Sequence, residues 1–267
     1  MQVMPLLIEA SKQNVEFNLK EIALFASSHS GQSEHTDFID SVANKFFINL
    51  EHLECGPQRP FHEETADLLI RQGKNFTNLH NNCSGKHLSM LIFSKLLGED
   101  QNEYCQLSHK TQEVIKNYFI EIFDTKDIGF GIDGCGLPAI KLKVSNFLNS
   151  IQKMQDSNNS KIWNNVFKAY MQYPIIIGGE QRTDTNIIIN SKQDLMAKSG
   201  AEGVLFVSNN NESLVFNCRD GSKRGVDLAA TSYLHKIGWI SKEPYKYIES
   251  TLIFNKQNIR AVEIEVV

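Results

Sequence analysis

One eight-residue stretch constrains this chain more than any other. Residues 80–87 read His-Asn-Asn-Cys-Ser-Gly-Lys-His and run directly into an apolar segment, residues 88–93. The apolar segment predicts a helix, and either Asn82 or Ser84 can cap its N-terminus. Backbone N–H groups and the positive end of the helix dipole gather there, and they stabilise thiolates and other anions. The sequence therefore predicts a polar site at the start of a buried helix.

A second thiol stands in a glycine-rich turn, residues 131–138, which read Gly-Ile-Asp-Gly-Cys-Gly-Leu-Pro. Cys83 and Cys135 can be ordinary buried cysteines, with Lys86 as a capping residue. They can equally form a metal or thiolate site, since sulfur and nitrogen ligands suit zinc, although a lysine ligand is unusual. A reversible disulfide between the two thiols is a third interpretation. The glycine, asparagine and aspartate around both thiols favour a site over a plain core.

Two further clusters have both a structural and a chemical interpretation. The run Ser27-Ser28-His29-Ser30 can place a nucleophile beside a base, or can simply cap and turn the chain after a helix. Lys198 lies among small residues before a predicted strand. It can act as a base if it is desolvated, or be an ordinary surface lysine.

Composition excludes several classes of protein. The net charge is −4, and lysine and arginine are scattered along the 267 residues, so no nucleic-acid or membrane surface is indicated. The apolar runs are too short to cross a bilayer, and no basic segment precedes an apolar one at the N-terminus. Five cysteines, an odd number, favour a reducing compartment over a disulfide framework. The sequence predicts a cytoplasmic protein.

The hydrophobic pattern predicts a single α+β domain, residues 1–267, with helices dominating about 1–180 and short strands about 181–267. Predicted strands at 204–207 and 214–218 are joined by a hairpin loop at 209–212, and a last strand covers 259–266. Helices are predicted near residues 3–11, 18–26, 34–47, 62–72, 85–97, 108–123, 144–155, 160–172 and 223–237.

Taken in order, several segments resemble the bacterial L-asparaginase II family, represented by the rhizobial inducible asparaginases. The most specific pair is the motif at 80–87 with the later Asp-Gly-Cys-Gly-Leu-Pro at 133–138. The other matching segments are residues 26–35, 55–57, 182–185, 197–203 and 220–224. The resemblance covers nearly the whole chain.

The resemblance implies a fold similar to serine β-lactamases, penicillin-binding proteins and glutaminases, in which helices flank an antiparallel sheet. It implies hydrolysis of L-asparagine to L-aspartate and ammonia by a homodimer. It also implies a bound zinc ion with Cys83, Lys86 and Cys135 as ligands.

The resemblance assigns further roles, carried over residue by residue. Ser28 corresponds to a serine of the catalytic pair, and Lys198 to the lysine that activates or orients it. Asp133 is implied to lie beside the metal or its bound water. Three more residues are implied to lie near the substrate amide or the metal, namely His29, Asn81 and His87.

The sequence departs from the family at its start. In the family, an Arg-Ser-Ser-x-Lys-Pro segment runs into residues like the Gln-Val-Met-Pro at 2–5 of this chain. We therefore expect the chain to lack the N-terminal strands and the first Ser-x-x-Lys motif. Two alternatives follow: a zinc-binding remnant with impaired turnover, or a related amidase such as a glutaminase or β-lactamase-like hydrolase.

Overall fold

The computed structural model describes residues 1–241 and 250–265. The chain divides into two compact units, Met1–Glu180 and Gln181–Val267. Within the part of the chain that is described, no helix has the length and apolar character needed to cross a membrane.

The first unit consists of helices and one β-hairpin. The hairpin pairs β1 (Gly129–Ile132) with β2 (Pro138–Lys141) in antiparallel register. Two short 3-10 turns, Leu50–His52 and Asn78–His80, connect the helices. The helices are α1 (Met4–Lys12), α2 (Leu19–Phe25), α3 (Ser33–Phe46), α4 (Glu63–Arg71), α5 (Ser84–Leu97), α6 (Lys110–Phe123), α7 (Val144–Asp156), α8 (Ser160–Gln172) and α9 (Pro174–Ile177).

Helix α5 is the central helix of the first unit. It packs against α1, α2, α3 and α6, and its residues 87–94 are all buried. A helix that is apolar on most faces must be covered on most faces, so α5 takes the interior position. Helix α2 begins at a capping box, in which Asn18 accepts from the Glu21 N–H and Glu21 accepts from the Asn18 N–H.

The described residues of the second unit form two small antiparallel sheets and two helices. One sheet has the strand order β3-β4-β5. Helix α10 packs on β3, while α11 packs on β4 and β5. The elements are α10 (Thr183–Ile189), β3 (Met196–Ser199), β4 (Val204–Ser208), β5 (Ser213–Asn217), α11 (Lys223–Lys236), β6 (Ser250–Phe254) and β7 (Arg260–Glu265).

The α+β prediction is confirmed in its coarse form, because the described chain is mostly helical with antiparallel strands. The strands among the described residues form three small sheets rather than one sheet flanked by helices, and the likeness to serine β-lactamases stays a prediction. The predicted hairpin is present as β4 and β5. The predicted last strand corresponds to β7, with Val266 outside the described residues. The hydrophobic pattern missed β1, β2, β3 and β6, each only four or five residues long.

The predicted cap of α5 was wrong. The N-cap residue is Cys83, and neither Asn82 nor Ser84 caps the helix. Instead Asn81 accepts a hydrogen bond from the Cys83 N–H at 2.9 Å. Ser84 is the first helical residue, and its hydroxyl donates backwards to the Leu79 carbonyl at 3.0 Å.

Candidate active site and metal cluster

The segment after α2 carries Ser28 and is held from both sides by backbone hydrogen bonds. The Ser28 N–H donates to the Ile177 carbonyl at 3.0 Å, at the end of α9. The next N–H, of His29, donates to the Asn82 carbonyl at 3.1 Å. Ser28 directly precedes His29, and Cys83 directly follows Asn82. This one hydrogen bond therefore joins the two segments that the sequence predicts to be functional.

Close backbone approaches bring these segments together. A Cβ on Gly85 would lie 2.5 Å from the Leu24 carbonyl oxygen, so only glycine lets the first turn of α5 reach the end of α2. Gly179 has φ +98°, and a Cβ there would lie 2.4 Å from Ser30 Oγ. These two glycines allow the serine-rich segment to fit between α5 and the chain after α9.

His29 is fully buried with both ring nitrogens engaged. Its Nδ1 accepts from the Gly31 N–H at 3.1 Å, and its Nε2 lies 2.9 Å from Ser84 Oγ. Because the Ser84 hydroxyl donates to Leu79, we infer that the proton between His29 and Ser84 belongs to Nε2. These contacts favour a neutral imidazole that supports the Ser28 segment from within the core.

The two thiols of the sequence motifs meet Asp133 in one cluster. Cys83 precedes α5, whereas Asp133 and Cys135 lie in the loop of the β1–β2 hairpin. One ligand atom from each of the three lies within 4.8 Å of the others. Lys86 joins them, because its Nζ lies 3.7 Å from Asp133 Oδ2. The cluster therefore unites residues about 50 positions apart in the chain.

The electrostatics of the cluster centre on Lys86. Burial opposes its ammonium form, but the neighbouring Cys83, Cys135 and Asp133 together raise the pKa of Lys86 above its ordinary value. A hydrogen bond with Cys83, followed by burial, raises the pKa of Cys135 to about 12. Lys86 and Cys135 therefore keep their protons at neutral pH, and each would have to lose its proton to bind a metal ion.

His87 and Tyr104 form a buried pair behind the cluster. The Tyr104 hydroxyl accepts from the Glu54 N–H at 2.9 Å and lies 2.6 Å from His87 Nδ1. The tyrosine proton is thus available to Nδ1, which leaves Nε2 as the protonated ring nitrogen. Burial lowers the pKa of His87, and the adjacent Cys135 thiol opposes that shift. The buried Nε2 therefore carries an N–H for which the described residues provide no hydrogen-bond acceptor of good geometry.

Asn81 connects the cluster to the chain at residues 55 and 56. Its Nδ2 donates to the Cys55 carbonyl at 2.8 Å and the Gly56 carbonyl at 3.1 Å, while its Oδ1 accepts from the Cys83 N–H. The carboxamide is 5% exposed in a buried setting, so its geometry is fixed. Asn81 thereby sets where the Cys83 thiol emerges from the backbone.

The donors of this cluster fit a zinc ion. Two thiols, an amine and a carboxylate supply the sulfur, nitrogen and oxygen ligands that zinc accepts in tetrahedral sites. All five cysteines are free thiols, so both sulfur ligands are available. The three-residue set at close range includes Asp133, whereas the sequence resemblance names Lys86 as the third ligand.

A family model for L-asparaginase II matches residues 1–266. The chain belongs to the L-asparaginase II family. No individually curated protein matches it.

The remaining candidate of this L-asparaginase II member lies within strand β3. Lys198 belongs to the second unit, where it lies half-buried on β3. Its Nζ donates to the Ser199 carbonyl at 2.6 Å. Asp184, fully buried on α10, accepts from the Ser199 N–H at 2.9 Å.

The sequence patterns did not identify two supporting residues, Tyr104 and Asp184. Tyr104 lies outside every recognisable motif, and no local pattern links it to His87. Asp184 stands in the Arg-Thr-Asp-Thr run at 182–185, where an acidic residue is typical of the first turn of any helix. Its burial and its bond to β3 depend on tertiary contacts.

Proposed function

We propose that the protein hydrolyses L-asparagine to L-aspartate and ammonia, with Ser28 as nucleophile and Lys198 handling its proton. The observation that carries the proposal is the backbone pairing of His29 with Asn82, which joins the Ser28 segment to the Cys83 segment. Membership of the L-asparaginase II family supports the substrate and the reaction class. The role of Lys198 rests on the resemblance of its segment to that family.

The chemistry suits these residue types. Ser28 Oγ would attack the side-chain amide carbon while its proton passes to a neutral Lys198 amine. The amide nitrogen would leave as ammonia after protonation, and water would then release aspartate from the serine ester. A zinc ion held by Cys83, Lys86 and Cys135 would position and polarise the substrate amide when bound.

The test is ammonia release from L-asparagine by the purified 267-residue chain, with and without added zinc. We expect turnover on the order of 1–10³ per second. Ser28→Ala should lower kcat by about 10³-fold or more, as loss of a nucleophile does. Ser27→Ala is the matched control, because the hydroxyl of this adjacent serine is buried and makes no hydrogen bond to the described residues, so its loss should leave turnover unchanged.

Other outcomes separate the alternatives. A folded, zinc-loaded chain that releases no ammonia would be a metal-binding member of the family without turnover, and the proposal would be wrong. Faster turnover of L-glutamine or of a β-lactam would assign the protein to a related amidase class. An equal loss of activity in Ser28→Ala and Ser27→Ala would contradict the assignment of Ser28 as the nucleophile.

A further inference from the structure

Ser199, the residue after Lys198, has its backbone groups turned away from the sheet. β3 pairs with β4 such that Lys198 stands opposite Phe206, and the Gly200 N–H donates to the Val204 carbonyl. Hydrogen-bonded positions alternate along an antiparallel pair, so Ser199 directs its N–H and its carbonyl away from β4. Both groups therefore need partners from outside the β3–β4 ladder.

Two side chains supply those partners. Asp184 Oδ2 accepts from the Ser199 N–H at 2.9 Å, and Lys198 Nζ donates to the Ser199 carbonyl at 2.6 Å. Asp184 is fully buried, so its carboxylate requires cationic or N–H partners. Arg182 Nε lies 3.8 Å from Asp184 Oδ1 and is the second cation near it.

We propose that Asp184 is a positioning residue for Lys198, because its carboxylate fixes β3 at Ser199 and serves as counter-ion to the lysine ammonium. The inference rests on the proposed role of Lys198 in amide hydrolysis. It adds a residue on α10 that acts through Lys198, because it sets the direction of the lysine and the ease with which the lysine loses its proton.

The charges facing Asp184 come from three elements. Burial raises the pKa of Asp184, but Lys198 on β3 and then Arg182 lower it, and the net direction is downward. Helix α11 contributes Lys223 and Asp227, which also interact with Asp184. Burial raises the pKa of Asp227. Asp184 is thus the fully buried carboxylate of this group and the one bonded to the strand that carries Lys198.

The matched pair of variants is Asp184→Asn and Asp220→Asn. Asp220 also accepts from a backbone N–H, that of Ser222 at 2.8 Å, and also has an arginine nitrogen at 3.8 Å. Unlike Asp184 it is exposed and bonds no residue of β3. Asparagine can keep the acceptor oxygen in both variants while removing the charge.

The readout is the pH dependence of acetylation of Lys198 by acetic anhydride, followed by peptide mass mapping. In Asp184→Asn the midpoint should move down by roughly 1–3 pH units, because the variant loses the buried carboxylate whose charge favours the ammonium form of Lys198. Asp220→Asn should keep the wild-type midpoint. An unchanged midpoint in Asp184→Asn would overturn the proposal.

This readout does not depend on ammonia release, so it can succeed or fail separately from the proposed activity. If the chain is active, the acidic limb of the kcat profile should shift in the same direction. A purely structural role for Asp184 would alter stability but leave both midpoints in place.

A second design applies if Asp184→Asn does not fold. Lys198→Met leaves the buried carboxylate without its lysine, and adding Asp184→Asn to it removes both charges. The double variant should melt at a higher temperature than Lys198→Met, because it removes a buried carboxylate that has lost one of its two nearby cations and keeps only Arg182. A double variant that melts no higher would contradict the counter-ion role.

Discussion

At the scale of single residues, the third ligand of a zinc ion at this cluster of side chains can be identified from the number of protons released when zinc binds. Lys86 keeps its proton, because its neighbours Cys83, Cys135 and Asp133 raise the pKa of the amine, and a ligating amine must lose that proton. If Cys83, Lys86 and Cys135 all bind zinc, about three protons should be released at neutral pH. Titration calorimetry in buffers of different ionisation enthalpy measures that number directly.

The Lys86→Met variant should release about two protons, and it should bind zinc at least ~10–100-fold more weakly. Lys95→Met is its control, since Lys95 lies on the same helix but donates to the Phe46 carbonyl, away from the cluster. Release of two protons by the wild type, unchanged in Lys86→Met, would instead make Asp133 the third ligand.

At the scale of elements, the contact between α2 and α5 depends on the absence of one side chain. Gly85→Ala would place a Cβ against the Leu24 carbonyl, and the two helices would have to separate. We expect the free energy of unfolding to fall by about 1–3 kcal/mol, as in other overpacked cores. Urea titration measures this change.

Gly131→Ala provides the comparison for that experiment. A Cβ at Gly131 meets nothing within 4 Å, so the change should stay within about 0.5 kcal/mol of the wild type. Equal effects at the two positions would mean that the α2–α5 approach does not limit stability.

His35 connects α3 to α9 and should make that connection sensitive to acid. Its Nε2 bonds the Ile175 carbonyl at 2.8 Å, and its Nδ1 accepts from the Gln32 N–H. Burial lowers the pKa of His35 below its ordinary 6.5, so the unfolded chain binds its proton more readily. Stability from this site is complete above pH 6.5 and declines as the pH falls below it.

The decline from one such site cannot exceed about 1.4 kcal/mol per pH unit. His35→Gln can keep both hydrogen bonds without titrating, so its free energy of unfolding should fall less between pH 7 and pH 5. His52→Gln, at a position nearer the surface, should retain the wild-type dependence. Parallel pH curves for wild type and His35→Gln would contradict the assignment.

Sequence patterns predicted most helices and both thiol motifs, because helical periodicity and glycine-rich turns are local properties. They did not predict the hairpin that presents Cys135, since four-residue strands carry little periodicity. They also could not distinguish a catalytic His29 from a supporting one. That difference depends on Gly31 and Ser84, which meet the ring only after the chain has folded.

At the scale of the whole molecule, the two tryptophans provide separate reporters. Trp163 is buried in α8 of the first unit, and Trp239 is buried after α11 in the second. All proposed metal ligands lie in the first unit, so zinc should stabilise that unit by about 2.7 kcal/mol at a hundred times the dissociation constant. Each unit can be followed by its own fluorescence.

We expect zinc to raise the unfolding midpoint seen in Trp239→Phe, where only Trp163 reports. The midpoint seen in Trp163→Phe should move less. A chelator should reverse the first change. An equal rise in both variants would mean that the two units unfold in one cooperative transition. No rise in either variant would mean that zinc does not bind the folded protein in preference to the unfolded chain.

The distance in sequence between Cys83 and Cys135 also has a consequence for synthesis. About 50 residues separate the two thiols, and a ribosome adds about 5–20 residues per second. Roughly 3–10 s therefore pass between the synthesis of Cys83 and the synthesis of Cys135. During that interval, helix α5 can already dock through Gly85 on α2, which was made earlier. The order of translation thus favours a metal-ligand cluster whose first half is placed by helix packing and whose second half is added by the hairpin, so that a metal ion would bind last.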